Sequence, residues 1–296
     1  MVSTAVRVTA ASGEAPPRTP TLLRAVRIVH PFPTLLNVAA TAGLAFVAAD
    51  GVPDAGVLAR MLLVMFFAQC AIGITNDLFD RELDARTKPW KPLVAGLLSV
   101  RTAKALAVIC VVAFGAVAVS LGAASFGLAA LGTACGLAYD VRLKRTLLSA
   151  LPYMIAIPTL PLWVYVTLGR WEAVLWWLLP LAALIGLALH LANTLPDIES
   201  DAAHGVRGLA HRLGVRGSMF VSWGAFAGAL ALAVVIGPFV DAEVRWYAAT
   251  LGVGIGCLVV AVCAYGVRGE TALRVNFAAM SIGAAVTAVG WLAAVT

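Results

Sequence analysis

The sequence predicts an all-α polytopic membrane protein, with nine transmembrane helices around a central cavity and two parallel internal repeats of four helices plus one. Apolar residues make up 61% of the 296 residues and charged residues 12%, which is outside the composition of ordinary soluble proteins. The apolar residues form stretches of roughly 20, long enough to cross a bilayer as helices. Backbone groups in lipid must pair internally, and a β-barrel would show short alternating segments instead.

The chain is predicted to begin with a disordered tail, residues 1–20, and to continue as a single membrane-embedded domain, residues 21–296. The tail is rich in Ser, Thr, Ala and Pro and lacks the apolar core of a signal peptide. In residues 22–30, Arg24, Arg27 and His30 recur at intervals of three among apolar residues. This pattern indicates a short amphipathic helix on the membrane surface.

The nine predicted spans then follow in order, separated by polar turns. The fifth contains Pro152, Pro158 and Pro161 and is expected to be kinked, because proline lacks the backbone donor of a helix. The spans are residues 32–49, 57–75, 103–121, a shorter fourth ending near residue 138, then 151–168, 173–195, 219–236, 246–267 and 277–294.

Lys and Arg are concentrated before the first span and after the second, fourth, sixth and eighth. Cytoplasmic loops collect these residues, so the N-terminus and the even-numbered span ends are predicted to be cytoplasmic. The formal net charge of +6 then has a topological explanation, and no nucleic-acid partner is predicted. No protein partner is predicted either; the expected surroundings are the lipid bilayer.

Two acidic segments follow the second and sixth spans: the first acidic segment is residues 76–84, and the second is residues 193–201. They lie four spans apart, so both have the same orientation in the membrane, as in repeats related by an axis along its normal. We expect them to face one another across the cavity, at its cytoplasmic mouth. Their alignment pairs Asn76 with Asn193, Asp80 with Asp197, Glu82 with Glu199, and Asp84 with Asp201.

Positions four and eight apart share one face of a helix, so Asn76, Asp80 and Asp84 are predicted to form one stripe, with Glu82 pointing elsewhere. Oxygen ligands that fill part of a coordination sphere suit Mg²⁺, which keeps waters and shares phosphate oxygens, whereas zinc favours Cys or His. Nearby cations indicate an anionic partner, so two or more Mg²⁺ ions are predicted to bridge the acids to a diphosphate. The alternative is solvated charge at span ends. The predicted metal ligands are Asn76, Asp77, Asp80, Asp84, Asn193, Asp197 and Asp201, and all except Asp77 are also predicted to be catalytic.

The pattern Asn76-Asp77-x-x-Asp80-x-x-x-Asp84 resembles the first signature of the UbiA superfamily of membrane-embedded prenyltransferases. Asp197-x-x-x-Asp201 resembles the second signature, and residues 87–96 resemble the segment that follows the first. The resemblance covers nearly the whole chain. It implies an enzyme that binds an isoprenyl diphosphate through Mg²⁺ and transfers the prenyl group to a small acceptor, usually aromatic, releasing diphosphate.

The chain departs from the family after the fourth span. The family commonly carries Tyr-x-x-x-Lys there, but Leu143 stands four residues after Tyr139, and Asp140 has no assigned role. Which basic neighbour of Tyr139 contacts the diphosphate is left open. The predicted diphosphate-binding residues are Lys88, Lys91, Tyr139, Arg142, Lys144 and Arg145.

An allylic cation must be kept from water, and aromatic faces can stabilise it, although aromatic residues in membrane helices more often pack or anchor. His190 lies seven residues before Asp197, on nearly the same helical face. It is a candidate for orienting the acceptor or taking its proton, with a hydrogen bond to a neighbouring helix as the alternative. The aromatic candidates are Phe79, Tyr139, Trp163 and Tyr165.

Two other functions are compatible with parts of this pattern. In a terpene cyclase of the same fold, an internal double bond would quench the cation. A transporter built on internal repeats belongs to a different class, but its sites usually lie near the bilayer midplane, whereas these carboxylates lie at span ends.

Overall fold

The computed structural model describes residues 21–203, 205–266 and 270–296, and all regular secondary structure in these ranges is helical. Nine of these helices are long and apolar enough to cross a membrane, which confirms the predicted fold class. The predicted tail, residues 1–20, lies outside the described residues. The nine helices are α1 Pro31–Ala49, α2 Ala55–Phe79, α3 Val100–Val119, α4 Ala123–Val141, α5 Leu151–Thr167, α6 Leu178–Thr194, α7 Leu209–Ile236, α8 Val244–Cys263 and α9 Glu270–Val295.

The helix starts follow from local chemistry. The side chain of Asp54 accepts a hydrogen bond from the backbone N–H of Val57 and caps α2, and Ser99 caps α3 through the N–H of Thr102. At α1 the first residue is Pro31, whose missing N–H costs nothing at that position.

Residues 22–30 do not form the single amphipathic helix that was predicted. A short helix, Thr21–Ala25, passes into a 3₁₀ turn, Val26–Val29, and His30 then adopts a positive φ of 47°. Because Pro31 disfavours the right-handed helical conformation in the residue before it, the chain turns at His30. This turn directs the His30 ring to Asp77 of α2.

The seventh helix begins ten residues earlier than predicted, at Leu209. It is interrupted at Gly214, which has a φ of 68° that a residue with a Cβ rarely adopts. The first turns of α7 therefore approach the other helices at a different angle from its membrane-spanning part.

The helices pack mainly against their neighbours in the chain. Each of α1 to α4 packs against the next helix, and so does each of α5 to α8, while α1 also contacts α5 and α9. This order is the one expected of two repeats of four helices plus one. Since successive helices run in opposite directions, α2, α4 and α6 all end on the same side of the bundle, which we call the motif side.

Candidate functional site

The first acidic segment is split between two helices. Helix α2 ends at Phe79, Asp80 has non-helical angles, and a short helix, Arg81–Thr87, follows. The predicted stripe on one continuous helix is therefore wrong at Asp80. The backbone N–H of Asp80 still bonds the carbonyl of Asn76 at 2.9 Å, and that of Asp84 bonds the carbonyl of Asp80 at 2.8 Å. Hydrogen bonds between residues four positions apart therefore continue from Asn76 to Asp84 across the break.

Asp80 is held by cations from the segment after α4. The Lys144 Nζ donates to its Oδ2 at 2.6 Å, and the Arg145 Nη2 lies 3.5 Å from its Oδ1. Helix α4 gives way at Arg142 to a 3₁₀ turn, Leu143–Arg145, and this turn brings Lys144 to the carboxylate. Lys144 therefore contacts the first acidic segment, while Arg142 is exposed.

Asp77 and Asp84 share one lysine. The Lys91 Nζ lies 2.8 Å from Asp77 Oδ1 and 2.7 Å from Asp84 Oδ2, and the His30 Nε2 is 2.9 Å from Asp77 Oδ1. Only 2% of Asp77 and 3% of Asp84 is exposed. Burial raises the pKa of Asp84, although the neighbouring charge of Lys91 opposes this shift. Burial alone would lower the pKa of Lys91, but its contacts with Asp77 and Asp84 outweigh that effect and raise the pKa. The predicted metal role of Asp77 stays a prediction, since Lys91 and His30 engage it here.

The second acidic segment also changes helix type. Helix α6 ends at Thr194, a 3₁₀ turn, Leu195–Asp197, follows, and a short helix begins at Ile198. Asp197 is half-exposed, and the Lys88 Nζ lies 3.5 Å from its Oδ2. Burial raises the pKa of Asp201 to about 6, repulsion from Asp197 adds to this shift, and Lys88 and Lys144 oppose it. The structure therefore places cations that follow α2 and α4 beside the second acidic segment.

The two glutamates were predicted to point away from the stripes. Glu82 is exposed, whereas the side chain of Glu199 lies outside the described part of the chain.

Three rings meet on the motif side. The ring centroid of Tyr153 lies 5.4 Å from that of Tyr139 and 5.2 Å from that of His190, and the Tyr153 hydroxyl accepts a hydrogen bond from Asn193 at 3.3 Å. A Cβ at Gly186 would lie 2.6 Å from the Tyr153 carbonyl oxygen, so glycine permits the close approach of α5 and α6. This ring cluster consists of Tyr139, Tyr153 and His190.

His190 makes the hydrogen bond that was the alternative to an acceptor role. Its Nε2 is 3.0 Å from the Oγ of Ser149, which also accepts from the backbone N–H of Leu209 at 3.0 Å. Its Nδ1 is buried and has no hydrogen-bond partner among the described residues. A role toward an acceptor stays a prediction.

The other aromatic candidates lie elsewhere. The Trp163 Nε1 donates to Ser125 at the start of α4, and the Tyr165 hydroxyl pairs with Thr296. Both are therefore buried toward the side opposite the motif side, and Phe79 is about half-exposed.

Sequence reasoning missed three contributors. His30 precedes a proline, which predicts a turn but not its contact with Asp77. Tyr153 and Ser149 lie in or beside an apolar span, and no local pattern distinguishes them from packing residues. Asp140 was noticed without a role; it is 3% exposed, and its Oδ1 accepts from the Nδ2 of Asn76 at 2.8 Å.

The carboxylates on the motif side are the type of ligand that a divalent cation prefers, but they are not already arranged around one position. In the described ranges, no three His, Cys, Asp or Glu side chains are grouped to hold a metal ion, and Lys91 and Lys144 lie against Asp84 and Asp80. Three buried carboxylate oxygens nevertheless accept no hydrogen bond from the described residues, namely Asp77 Oδ2, Asp80 Oδ1 and Asp140 Oδ2, although the Arg145 Nη2 lies 3.5 Å from Asp80 Oδ1. Unfilled oxygens of this kind suit a hard cation such as Mg²⁺.

Comparisons with known proteins identify the family and the fold. The profile of the UbiA prenyltransferase family matches residues 36–282. Digeranylgeranylglyceryl phosphate synthase of Methanoregula boonei is 31% identical over 200 residues, which are 65% of this chain and 69% of that protein. A probable homogentisate phytyltransferase 2 of Oryza sativa is 32% identical over 166 residues, 52% of this chain and 44% of that protein.

A solved structure shares the fold. A UbiA homolog from Archaeoglobus fulgidus, bound to GPP and Mg²⁺, superposes with a TM-score of 0.70 at 15% identity. The match covers 91% of this chain and 99% of that one.

Proposed function

This chain belongs to the UbiA prenyltransferase family, and from that premise we propose that it is a Mg²⁺-dependent intramembrane enzyme that ionises an isoprenyl diphosphate. It transfers the prenyl group to a small acceptor and releases diphosphate. The concentration of Lys and Arg after the even-numbered spans supports a cytoplasmic N-terminus and a cytoplasmic site.

The contact between Lys88 and Asp197 carries this proposal, because it joins the first half of the chain to the second acidic segment. Carboxylates alone repel a diphosphate. Lysines interleaved among carboxylates, with buried oxygens left unfilled, suit a cation and an anion bound together. The GPP and Mg²⁺ of the Archaeoglobus homolog support the same substrate class.

The residues would divide the work by charge. Bound Mg²⁺ would supply positive charge against the departing diphosphate. Basic side chains and one hydroxyl group donate hydrogen bonds to phosphate oxygens and stabilise the charge that develops as the allylic C–O bond breaks. These donors are Lys88, Lys91, Lys144, Arg142, Arg145 and the hydroxyl of Tyr139. The metal would be held by Asn76, Asp80 and Asp84 of the first acidic segment and by Asn193, Asp197 and Asp201 of the second.

The ring cluster protects the other product of ionisation. The Tyr153 hydroxyl contacts Asn193 of the second acidic segment, and the ring of Tyr139 packs against that of Tyr153. We assign these two rings to shielding an allylic cation from water and stabilising it. The Nδ1 of His190, which has no hydrogen-bond partner in the part of the chain that the structure describes, is the group we assign to orienting the acceptor or taking its proton.

The acceptor we propose is a small aromatic molecule or quinone precursor, since three rings adjoin the site. The names of the relatives include both an aromatic and a glyceryl phosphate acceptor, so both classes belong in the assay.

The test uses purified protein in nanodiscs with labelled allylic diphosphates, Mg²⁺ or EDTA, and acceptors of both classes. We expect Mg²⁺-dependent transfer that Asp80→Asn and Asp197→Asn abolish and the exposed control Glu82→Gln retains. Formation of a cyclic hydrocarbon in the absence of any acceptor would show that the reaction is cyclisation and would refute prenyl transfer as the activity. Solute flux that is lost in the Asp variants, without any diphosphate release by the wild type, would indicate a transporter.

A further inference from the structure

Asp140 is a buried carboxylate that belongs to neither acidic segment. It lies in the last turn of α4, is 3% exposed, and contacts residues of the first acidic segment and of the segment after α4. Burying a carboxylate this deeply costs free energy unless neighbouring groups form hydrogen bonds or ion pairs with it.

The first contact of Asp140 fixes the direction of an amide. The Asn76 Nδ2 donates to its Oδ1 at 2.8 Å. An ionised carboxylate can only accept hydrogen bonds, so Asn76 must turn its N–H group to Asp140 and its carbonyl oxygen away. This chemistry decides between the two amide orientations, which have the same shape. The Asn76 oxygen is thereby left available as a ligand.

The second contact concerns Lys144. Its Nζ lies 2.6 Å from Asp80 Oδ2 and 4.0 Å from Asp140 Oδ1, so one ammonium group sits between two carboxylates. Asp140 Oδ2 is buried and unpartnered among the described residues. Asp140 therefore adds negative charge to the first acidic segment and holds the lysine that faces it.

We propose that Asp140 is a positioning residue of the cation–diphosphate site: it turns the carbonyl oxygen of Asn76 toward that site and keeps Lys144 beside Asp80. This role rests on the function proposed above. Partners that orient metal ligands change metal affinity by about 10- to 100-fold when they are removed.

The experiment measures binding of Mn²⁺, as a spectroscopic stand-in for Mg²⁺, with inorganic pyrophosphate. Titrations by electron paramagnetic resonance compare Asp140→Ala, Asp140→Asn, Asn76→Asp, and the exchange variant that combines Asn76→Asp with Asp140→Asn. In the exchange variant, the new amide at position 140 donates to the new carboxylate at position 76, whose other oxygen still faces the site. The control Asp54→Ala removes the cap at the other end of α2, so it destabilises the same helix far from the site.

We expect Asp140→Ala to weaken Mn²⁺ binding about 10- to 100-fold, Asn76→Asp to weaken it through carboxylate repulsion, and the exchange variant to recover most of the wild-type affinity. Asp54→Ala should leave it unchanged. Wild-type affinity in a folded Asp140→Ala protein would overturn the proposal. If Asp140→Ala does not fold, the exchange variant decides: failure to recover affinity beyond the two single variants also overturns it. Wild-type protein that binds Mn²⁺ and pyrophosphate but transfers no prenyl group would refute the proposed function and leave the role of Asp140 standing; no binding at all refutes both.

Discussion

Replacing each basic residue after α4 in turn tests how the chain compensates for its departure from the family spacing. Lys144 is 12% exposed and contacts Asp80 at 2.6 Å, Arg145 is 47% exposed and lies 3.5 Å from the same carboxylate, and Arg142 is exposed. Removing a preorganised donor from developing negative charge costs about 10²- to 10³-fold in kcat, roughly 2.7 to 4 kcal/mol. We therefore expect Lys144→Met to lose about this much.

The exposed arginines should matter less, because water screens them and competes for their donors. We expect about a fivefold loss for Arg145→Gln and less than about twofold for Arg142→Gln. The assay is kcat and KM for the prenyl diphosphate at saturating acceptor, with matched yields of folded protein. An Arg142→Gln variant as impaired as Lys144→Met would refute the assignment, as would a Lys144→Met variant with wild-type kcat.

Three further predictions concern the supports of the site. Removing the His30 ring in His30→Ala should lower the free energy of unfolding by about 0.5 to 1.5 kcal/mol, because Asp77 Oδ1 loses one of its two partners and keeps Lys91; an unchanged melting curve would contradict this. Gly186→Ala should destabilise by about 1 to 3 kcal/mol, since its Cβ would meet the backbone of Tyr153, whereas Gly224→Ala, with open space around it, should not. Tyr153→Leu should lower kcat by roughly tenfold or more through loss of a desolvated cation–π contact, and Trp163→Phe, on the opposite side of the bundle, should leave kcat unchanged; equal effects would refute the role of the ring cluster.

The sequence was sufficient for the helices and for the acidic segments. Long uncharged stretches can only be helices in lipid, so the nine spans follow from composition and length. The aspartates of the two acidic segments have the same spacing and follow spans two and six, so the sequence predicted that both segments lie on one side of the membrane. Lys88 and Lys91 lie four and seven residues after Asp84, so they could be assigned to the first acidic segment by proximity in sequence alone.

The break at Asp80 could not be predicted, because the residues around it are compatible with a helix. The ion pair between Asp80 and Lys144 could not be predicted either, because it joins positions 64 apart. The contact of Asn76 with Asp140 is equally distant in sequence. The approach of α5 to α6 depends on Gly186 facing one carbonyl group, which no periodic pattern shows. Tertiary contacts therefore decide the details of the site, while local sequence decides its location.

A double-mutant cycle on the two acidic segments tests most directly whether they form one site. Asp80→Asn, Asp197→Asn and the double variant are compared by Mn²⁺ binding in the presence of pyrophosphate. Residues that act as a unit are strongly non-additive, so we predict that each single variant loses most of the affinity and that the double variant is little worse than either. Additive losses, or a normal affinity in one of the single variants, would contradict a shared site.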